Sequence, residues 1–297
     1  MTSFRSGFVG LLGPTNVGKS TFLNAVMGED LLITSAKPQT TRNRIRCVYT
    51  TDAEQIVFVD TPGLHRARNR LGRHLLREAF RALRGLDVIL YMIEPTGRVT
   101  PDDEALLPQL NQTGCPVILL VNKLDRARGA ALEETLLSYE ATGAFAELVP
   151  ISALTGRNLD EALRTIVAYL PIGKPLFPED VRFDHSEAFL IGELIREQIV
   201  LETSQELPYV TAVAVRSLHE REDGLLEIKA EIIAEKSSHK GILLGKGGER
   251  IKRIGSQART RIEALLGVHA YLELTVKIRK GWTRSEKEIA RLTEEAP

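Results

Sequence analysis

One segment constrains the fold of this chain more than any other, the run Gly13-Pro14-Thr15-Asn16-Val17-Gly18-Lys19-Ser20. It follows a short apolar run at residues 8–12 and precedes a helical pattern that begins at Thr21. In a strand–loop–helix unit of this kind, the glycines let backbone N–H groups turn inward toward phosphate oxygens. The N-terminus of the helix adds partial positive charge. The run therefore predicts a phosphate-binding loop after the first strand.

Two side chains of this loop predict the chemistry of its ligand. We expect the Lys19 ammonium to contact the β- and γ-phosphates of a nucleotide as a point charge. We expect the Ser20 hydroxyl to coordinate Mg²⁺, with Thr21 completing the contacts of the loop. The segment thus predicts a nucleotide bound together with Mg²⁺, and the alternative is a chance glycine turn.

A second motif follows the apolar run at residues 56–59 and reads Asp60-Thr61-Pro62-Gly63. A carboxylate at a strand end can hold Mg²⁺ directly or through a water molecule, and we expect Asp60 to do so. The Gly63 N–H can approach a γ-phosphate closely because glycine has no Cβ. Taken alone, this motif is also typical of a plain turn. After a phosphate loop, it favours a nucleotide site.

A third motif, Asn122-Lys123-Leu124-Asp125, follows the apolar run at residues 117–121. A carboxylate can accept two parallel hydrogen bonds from guanine N1–H and the exocyclic amine, a donor pair that adenine lacks. Asp125 therefore predicts GTP in preference to ATP. We expect the Lys123 stem to cover the base and Asn122 to brace the loop. Further on, a backbone N–H of Ser152-Ala153-Leu154 can meet guanine O6.

The order of apolar runs predicts the architecture of the first domain. Short apolar runs alternate with helical patterns, at residues 8–12, 56–59, 88–93, 117–121 and 148–151. Continuous apolar runs separated by helices are typical of a parallel sheet covered on both faces. We therefore expect an α/β domain over residues 1–172, with a doubly wound, mostly parallel sheet. Its last helix is expected to begin after Asn158 as N-cap, with Glu161 in a capping box.

The remainder of the chain has a different pattern. Residues 171–184 contain three prolines and a glycine, which predicts a linker at 173–184. Residues 185–297 predict a smaller α+β domain. Its expected elements are a helix at 185–203, strands at 210–217 and 225–235, a helix at 249–266, a strand at 268–279 and a helix at 283–294.

The second domain carries its own loop motif, Gly245-Lys246-Gly247-Gly248, between two helical segments. The loop and the order of elements resemble a type II KH domain, an RNA-binding fold. The resemblance implies that the glycines admit a single RNA strand and that Lys246 neutralises a phosphate. The other residues expected to bind RNA are Lys240, Ile242, Leu244, Arg250 and Lys252. The alternative is a turn between two helices with glycine caps.

The first domain also resembles a known family. The segment Lys37-Pro38-Gln39-Thr40-Thr41-Arg42 resembles switch I of the translation-factor class of small GTPases. Over nearly the whole chain, the motifs resemble the Era family of ribosome-assembly GTPases. The resemblance implies a P-loop GTPase domain in which Thr40 or Thr41 senses the γ-phosphate and Mg²⁺, and we favour Thr41. It implies GTP or GDP as ligands.

The same resemblance suggests partners and a location. It implies binding to small-subunit (16S) ribosomal RNA near its 3′ end and a role in assembly of the 30S subunit. It also implies peripheral association with the cytoplasmic face of the inner membrane. We expect no stable protein oligomer.

One position departs from many small GTPases, which place a glutamine after the Asp-x-x-Gly motif to orient water. Here that position is Leu64, which cannot orient water, so we expect slow hydrolysis without help. In relatives with this substitution, an asparagine matching Asn16 helps to bind K⁺. The expected catalytic residues are Lys19, Asn16, Thr41 and Gly63.

A net charge of zero, from 39 basic and 39 acidic residues, argues at first against binding of nucleic acid. The distribution along the chain removes that objection. From Lys236 to Arg261, eight basic residues accompany one acid, Glu249, for a local charge of +7. A second basic cluster, at residues 66–84, has seven arginines and one acid. Such patches attract polyanions, although a solvated helix face would look the same.

Composition excludes several other classes. Hydrophobic residues are 43% of the chain and charged residues 26%, which is typical of globular proteins. No apolar stretch reaches the roughly 18–20 residues of a membrane span, and no signal peptide is evident. Two cysteines, Cys47 and Cys115, favour a reducing cytoplasm.

Two alternatives to a ribosome-assembly GTPase stay open. They are a membrane-linked signalling GTPase and a P-loop ATPase or kinase.

Overall fold

The computed structural model describes residues 3–29, 32, 45–60, 85–127, 129–203 and 207–293. The described residues form two compact units that divide between Asp184 and His185. Several predicted residues lie outside the described ranges: Thr40, Thr41, Thr61, Pro62, Gly63, Leu64 and the arginines of the cluster at 66–84.

The first unit is a six-stranded sheet with helices. Its elements are β1 Arg5–Leu12, α1 Lys19–Met27, β2 Ile45–Thr50, β3 Glu54–Asp60, β4 Val88–Ile93, α2 Pro101–Asn111, β5 Val117–Val121, α3 Ala131–Glu140, β6 Glu147–Pro150 and α4 Leu159–Tyr169. The strand order is β2-β3-β1-β4-β5-β6. All neighbouring pairs are parallel except β2 with β3. The expectation of a mostly parallel α/β sheet is confirmed.

The apolar runs form strands because burial on both faces removes nearly all their surface from water. Every residue of β4 and β5 is buried. One buried carboxylate joins this sheet to two helices: Asp103 of α2 accepts hydrogen bonds from the hydroxyls of Tyr91 on β4 and Tyr139 on α3. Buried polar groups are tolerated when paired in this way.

Two local details differ from the sequence-based expectations. The edge strand β2 was not expected, because it is antiparallel and only partly apolar, with Ile45, Cys47 and Val48 buried. Asn158 does precede α4, but it is not a side-chain cap. Its backbone is left-handed, with φ 62°, and its amide donates to Pro150 O at 2.9 Å. The side chain therefore fastens the helix to β6 instead of completing a capping box.

The segment predicted as a linker lies along the edge of the first unit. Gln55 of β3 is fully buried and bonds the backbone of Leu176 and Phe177. Farther on, the Val48 N–H of β2 donates to Arg182 O at 2.9 Å, and Asp184 forms an ion pair with Arg46. The extension covers the edge of β2 that would otherwise expose backbone groups.

The second unit is a three-stranded sheet packed with helices. Its elements are α5 Glu187–Glu202, β7 Thr211–Glu220, β8 Leu226–Ala234, α6 Ser237–Leu244, α7 Glu249–Leu266, β9 Ala270–Ile278 and α8 Glu286–Thr293. The strand order is β7-β8-β9, with β7 antiparallel and β9 parallel to β8. Residues such as Ile195, Ile228, Ile254 and Ile262 form its core. The smaller α+β unit agrees with the predicted order of elements.

Candidate nucleotide site and RNA-binding surface

The three motifs of the first unit meet because they follow parallel strands. β1, β3, β4 and β5 run in one direction, so their carboxyl ends share one edge of the sheet. Leu11 pairs with Asp60, and Ile93 with Val121, which brings the motif-bearing loops to that edge. Ligands of open α/β sheets bind at this edge.

The phosphate loop requires its two glycines. Gly13 has φ 146°, and a Cβ there would lie 2.2 Å from Met92 O. Gly18 has φ 107°, and a Cβ would lie 2.3 Å from the Asn122 amide nitrogen. Both positions therefore exclude a side chain by conformation and by space.

Lys19 is the buried cation of this loop. It is 7% exposed, and its Nζ donates to Gly13 O at 2.9 Å and to Pro14 O at 2.8 Å. Burial lowers the pKa of Lys19 to about 8, and the charge of Asp60 offsets part of the decrease. An ammonium held away from water in this way favours an anionic ligand.

The residues near Lys19 suit a magnesium–phosphate ligand. Asp60 is fully buried at the end of β3. Burial raises the pKa of the Cys47 thiol, and the negative charge of Asp60 raises it further. Ser20 lies in the first turn of α1. Carboxylate and hydroxyl oxygens are hard ligands, which fit Mg²⁺ better than a transition metal. No cluster of three or more His, Cys, Asp or Glu suited to another metal occurs among the described residues.

The Asn122 side chain joins two loops next to its own. It is 2% exposed, and its amide nitrogen donates to Val17 O at 2.8 Å. Its amide oxygen accepts from the Ala153 N–H at 2.9 Å. One side chain thus fixes the phosphate loop relative to the loop after β6.

The residues expected at the guanine base also come together. The Ser152 hydroxyl donates to an Asp125 carboxylate oxygen at 2.5 Å, which orients Asp125. Lys123 has a left-handed backbone, with φ 66°, and its Nζ donates to Asn16 O at 2.7 Å and to the Glu94 carboxylate. Ala153 is buried, whereas Leu154 is 68% exposed. Glu94 belongs to none of the motifs, so the sequence offered no signal for it.

In the second unit, the Gly-Lys-Gly-Gly loop joins α6 to α7. Gly245 has φ 72°, and a Cβ there would lie 2.9 Å from Arg250 Cβ. Gly247 and Gly248 also have positive φ, but no atom lies within 4 Å of a Cβ added at either. Gly245 is therefore needed for space, while the backbone at the other two glycines is open to a ligand.

The side chains around this loop divide between solvent and core. Lys246 and Lys252 are exposed, Lys240 is half-buried, and Ile242 is 46% exposed. Leu244, which was also expected to line the RNA groove, packs partly against the core of its unit. The Arg250 guanidinium donates to Ile242 O, so it joins the two helices across the loop.

An open groove of about 430 Å³ lies between α7 and β9. Its lining is Ile251, Lys252, Gly255, Ser256, Arg259, Ala270, Tyr271, Leu272 and Leu274. Tyr271 is 50% exposed and offers a ring on which a base could stack. Of these residues, only Lys252 was predicted to bind RNA, and Arg259 was counted only as part of the basic patch. The signal was a single aromatic on the polar face of an alternating strand.

Comparison with known proteins identifies the family. A model described as a 50S ribosome-binding GTPase matches residues 8–123, and a KH domain model matches residues 206–283. GTPase Era from Alkaliphilus oremlandii is 44% identical over 292 residues, which cover 98% of this chain and 99% of that protein. The chain belongs to the Era family of GTPases. GTPase Era from Geotalea uraniireducens is 43% identical, with 96% of each chain covered.

Two solved Era structures match the fold. A tyrosine-to-alanine variant of Aquifex aeolicus Era bound to GDP·AlF₄⁻ has a TM-score of 0.93, with 38% identity over 99% of this chain and 100% of that one. Era in complex with MgGDPNP and nucleotides 1506–1542 of 16S ribosomal RNA has a TM-score of 0.91, with the same identity and coverage. The expected Era resemblance, GTPase activity and KH fold are thereby confirmed. No described helix is long and apolar enough to cross a membrane.

Proposed function

We propose that this protein is a guanine-nucleotide switch that binds small-subunit ribosomal RNA near its 3′ end and assists 30S assembly. The main support for this function is that one chain contains both a nucleotide site and a loop suited to RNA. A braced phosphate loop with Asp125 lies in the first unit, and an exposed glycine loop flanked by lysines lies in the second. The Era relative that holds a 16S fragment supports this choice of RNA.

The residues of the first unit have distinct roles in this proposal. Backbone groups of residues 13–18 and Lys19 bind the phosphates, and Asp125 selects guanine. Ser20, Asp60 and Thr41 hold Mg²⁺. The bound ion neutralises the charge that develops as GTP is split into GDP and phosphate.

We further propose that hydrolysis depends on K⁺ through Asn16, because Leu64 cannot orient water. Replacing K⁺ by Na⁺ should then lower the hydrolysis rate, and Leu64→Gln should change it. An unchanged rate in both experiments would contradict the proposal.

Nucleotide competition tests the base specificity. Unlabelled GTP should displace a labelled guanine nucleotide, whereas ATP at the same concentration should not. Asp125→Ala should abolish the difference, because it removes the acceptor of the guanine N–H pair. Displacement by ATP from the wild-type protein would contradict the guanine assignment.

Crosslinking tests the RNA assignment. The protein is crosslinked to RNA in its GTP-bound and GDP-bound states, and the bound fragments are sequenced. We expect fragments from the 3′ end of 16S RNA, in amounts that differ between the two states. Fragments with no preference for small-subunit RNA would overturn the RNA assignment.

We further propose that the protein acts in the cytoplasm, with peripheral contact at the inner membrane.

A further inference from the structure

The Lys123 ammonium joins three loops of the nucleotide site. It donates to the backbone oxygen of Asn16 in the phosphate loop at 2.7 Å. It also pairs with the carboxylate of Glu94, the residue directly after β4. Asn16 and Lys123 lie in motifs with expected ligand contacts, whereas Glu94 has no such assignment. The question is therefore what the Glu94 carboxylate contributes.

The backbone around this contact is held in an unfavourable conformation. Among the residues that the structure describes, only three non-glycine residues have positive φ: Asn16 at 63°, Lys123 at 66° and Asn158 at 62°. Two of the three are therefore joined by one hydrogen bond, from Lys123 Nζ to Asn16 O. Such conformations persist only where surrounding contacts hold them. The Glu94–Lys123 ion pair is one of those contacts.

The contact also fixes the direction of a phosphate-loop N–H. The peptide between Asn16 and Val17 is planar and trans, so its carbonyl and its N–H point in opposite directions. By holding the Asn16 oxygen, the Lys123 ammonium sets where the Val17 N–H points. The same lysine stem is expected to lie along the guanine base. One side chain thus couples the base loop to the phosphate loop.

We propose that Glu94 is a positioning residue for guanine nucleotides and acts through Lys123, an inference that rests on the proposed nucleotide site. Its carboxylate keeps the ammonium at the Asn16 carbonyl, so that both loops are held ready for the ligand. Without that charge, the flexible lysine stem leaves this position more often. Nucleotide then dissociates faster.

The test compares Glu94→Gln with the wild-type full-length chain. Dissociation of fluorescently labelled GDP and GTP should be about threefold to fivefold faster, which is the upper part of the range for a partly exposed ion pair. Glu140→Gln, which neutralises an exposed glutamate at the end of α3, should match wild type for both nucleotides. Dissociation from Glu94→Gln at the wild-type rate would overturn the proposal.

A double-mutant cycle separates positioning from a general loss of stability. If Glu94 acts through Lys123, Glu94→Gln should have no further effect on dissociation in a Lys123→Met background. If the effects of the two substitutions multiply, Glu94 acts by another route and the proposal fails. High salt should also reduce the difference between Glu94→Gln and wild type, because the pair is partly exposed.

Asp125→Ala distinguishes this inference from the proposed site itself. If Asp125→Ala retains full preference for GTP over ATP, the proposed nucleotide site is wrong. If it loses that preference while Glu94→Gln releases nucleotide at the wild-type rate, only the role of Glu94 is wrong.

Discussion

At the residue scale, the ammonium of Lys19 determines how the phosphate loop responds to pH. Burial lowers its pKa from 10.5 to about 8. The folded protein therefore binds fewer protons at Lys19 than the unfolded chain does between these two pH values. From this residue alone, the free energy of unfolding should rise as pH increases across that window. Nucleotide phosphates have the opposite effect on the pKa, because they stabilise the charged form.

Because burial lowers the pKa of Lys19 and bound phosphates raise it, we expect Lys19 to take up a proton when nucleotide binds. At pH 8.5 the Lys19 amine of the free protein is largely neutral, and GDP should restore its charge. Calorimetry in buffers of different ionisation enthalpy should show that uptake at pH 8.5 exceeds uptake at pH 7 by roughly two-thirds of a proton. Lys19→Arg, which stays charged, serves as the control and should lose this difference. Equal uptake at both pH values in the wild type would contradict the burial argument.

The sequence predicts residues whose side-chain chemistry belongs to a ligand-binding motif. It does not predict residues whose contact partner lies far away along the chain. The types and spacing of Lys19, Asn122 and Asp125 follow from what phosphate and guanine require. Glu94 carries no such signal, because its partner Lys123 lies 29 residues away. The capping prediction for Asn158 was wrong for a related reason. Its amide finds a tertiary acceptor on β6, a contact that no local pattern contains.

At the element scale, the middle of the segment after α4 is fastened to the sheet by a buried glutamine, Gln55. The Gln55 oxygen accepts from the N–H groups of Leu176 and Phe177 at 2.6 and 2.9 Å, and its nitrogen donates to Phe177 O at 2.9 Å. Because the Gln55 side chain is fully buried, little water could replace it as the hydrogen-bond partner of these backbone groups if it were removed. The proline-rich composition predicted a linker but gave no sign of this attachment.

Gln55→Ala should loosen the middle of this segment, around Leu176 and Phe177. We expect hydrogen exchange at the amides of Leu176 and Phe177 to accelerate, with a loss of about 1–3 kcal/mol in the free energy of unfolding. Gln112→Ala, at the exposed end of α2, should change neither quantity. Unchanged exchange at the two amides in Gln55→Ala would show that other contacts hold the segment.

Strands could likewise be predicted only where their burial leaves a pattern in the sequence. The five apolar runs became strands because a parallel sheet buries both faces and so requires continuous apolar sequence. β2 was missed because an edge strand needs fewer buried residues, and its pairing with β3 depends on a neighbour in space. In the second unit, the clean alternation of β9 marked a strand with one exposed face, as the structure shows.

At the scale of the whole molecule, charge counted along the chain overstates the basic patch. The structure pairs three of its arginines with acids that lie outside the counted window. Arg253 pairs with Glu202, Arg261 with Glu197, and Arg259 with Glu263. Within the described residues, the other five basic residues of the window form no ion pair: Lys236, Lys240, Lys246 and Lys252, and Arg250, whose guanidinium donates to Ile242 O instead. The patch offered to RNA is therefore smaller and rich in lysine.

This pairing predicts a modest salt dependence. Four phosphate contacts to a single strand give a slope of about −3 for log affinity against log salt, whereas eight would give about −6. Titration of a 16S 3′-end oligonucleotide at several salt concentrations measures the slope. A value near −6 would mean that the arginines exchange their carboxylate partners for phosphate.

The Gly-Lys-Gly-Gly loop is the part of the molecule that we expect to bind RNA, and Gly247→Asp tests this role. Nothing lies within 4 Å of a Cβ at Gly247, and aspartate tolerates its φ of 59° better than most residues, so the unit should fold. Gly224→Asp makes the same charge change at another open glycine, with φ 78°, in the turn between β7 and β8.

The measurement is the affinity of the wild type and both variants for the 16S 3′-end oligonucleotide. The account predicts a loss of at least about tenfold for Gly247→Asp, because its carboxylate repels the phosphates that the loop admits. Gly224→Asp should bind like the wild type. Equal affinity for the wild type and Gly247→Asp would contradict the account.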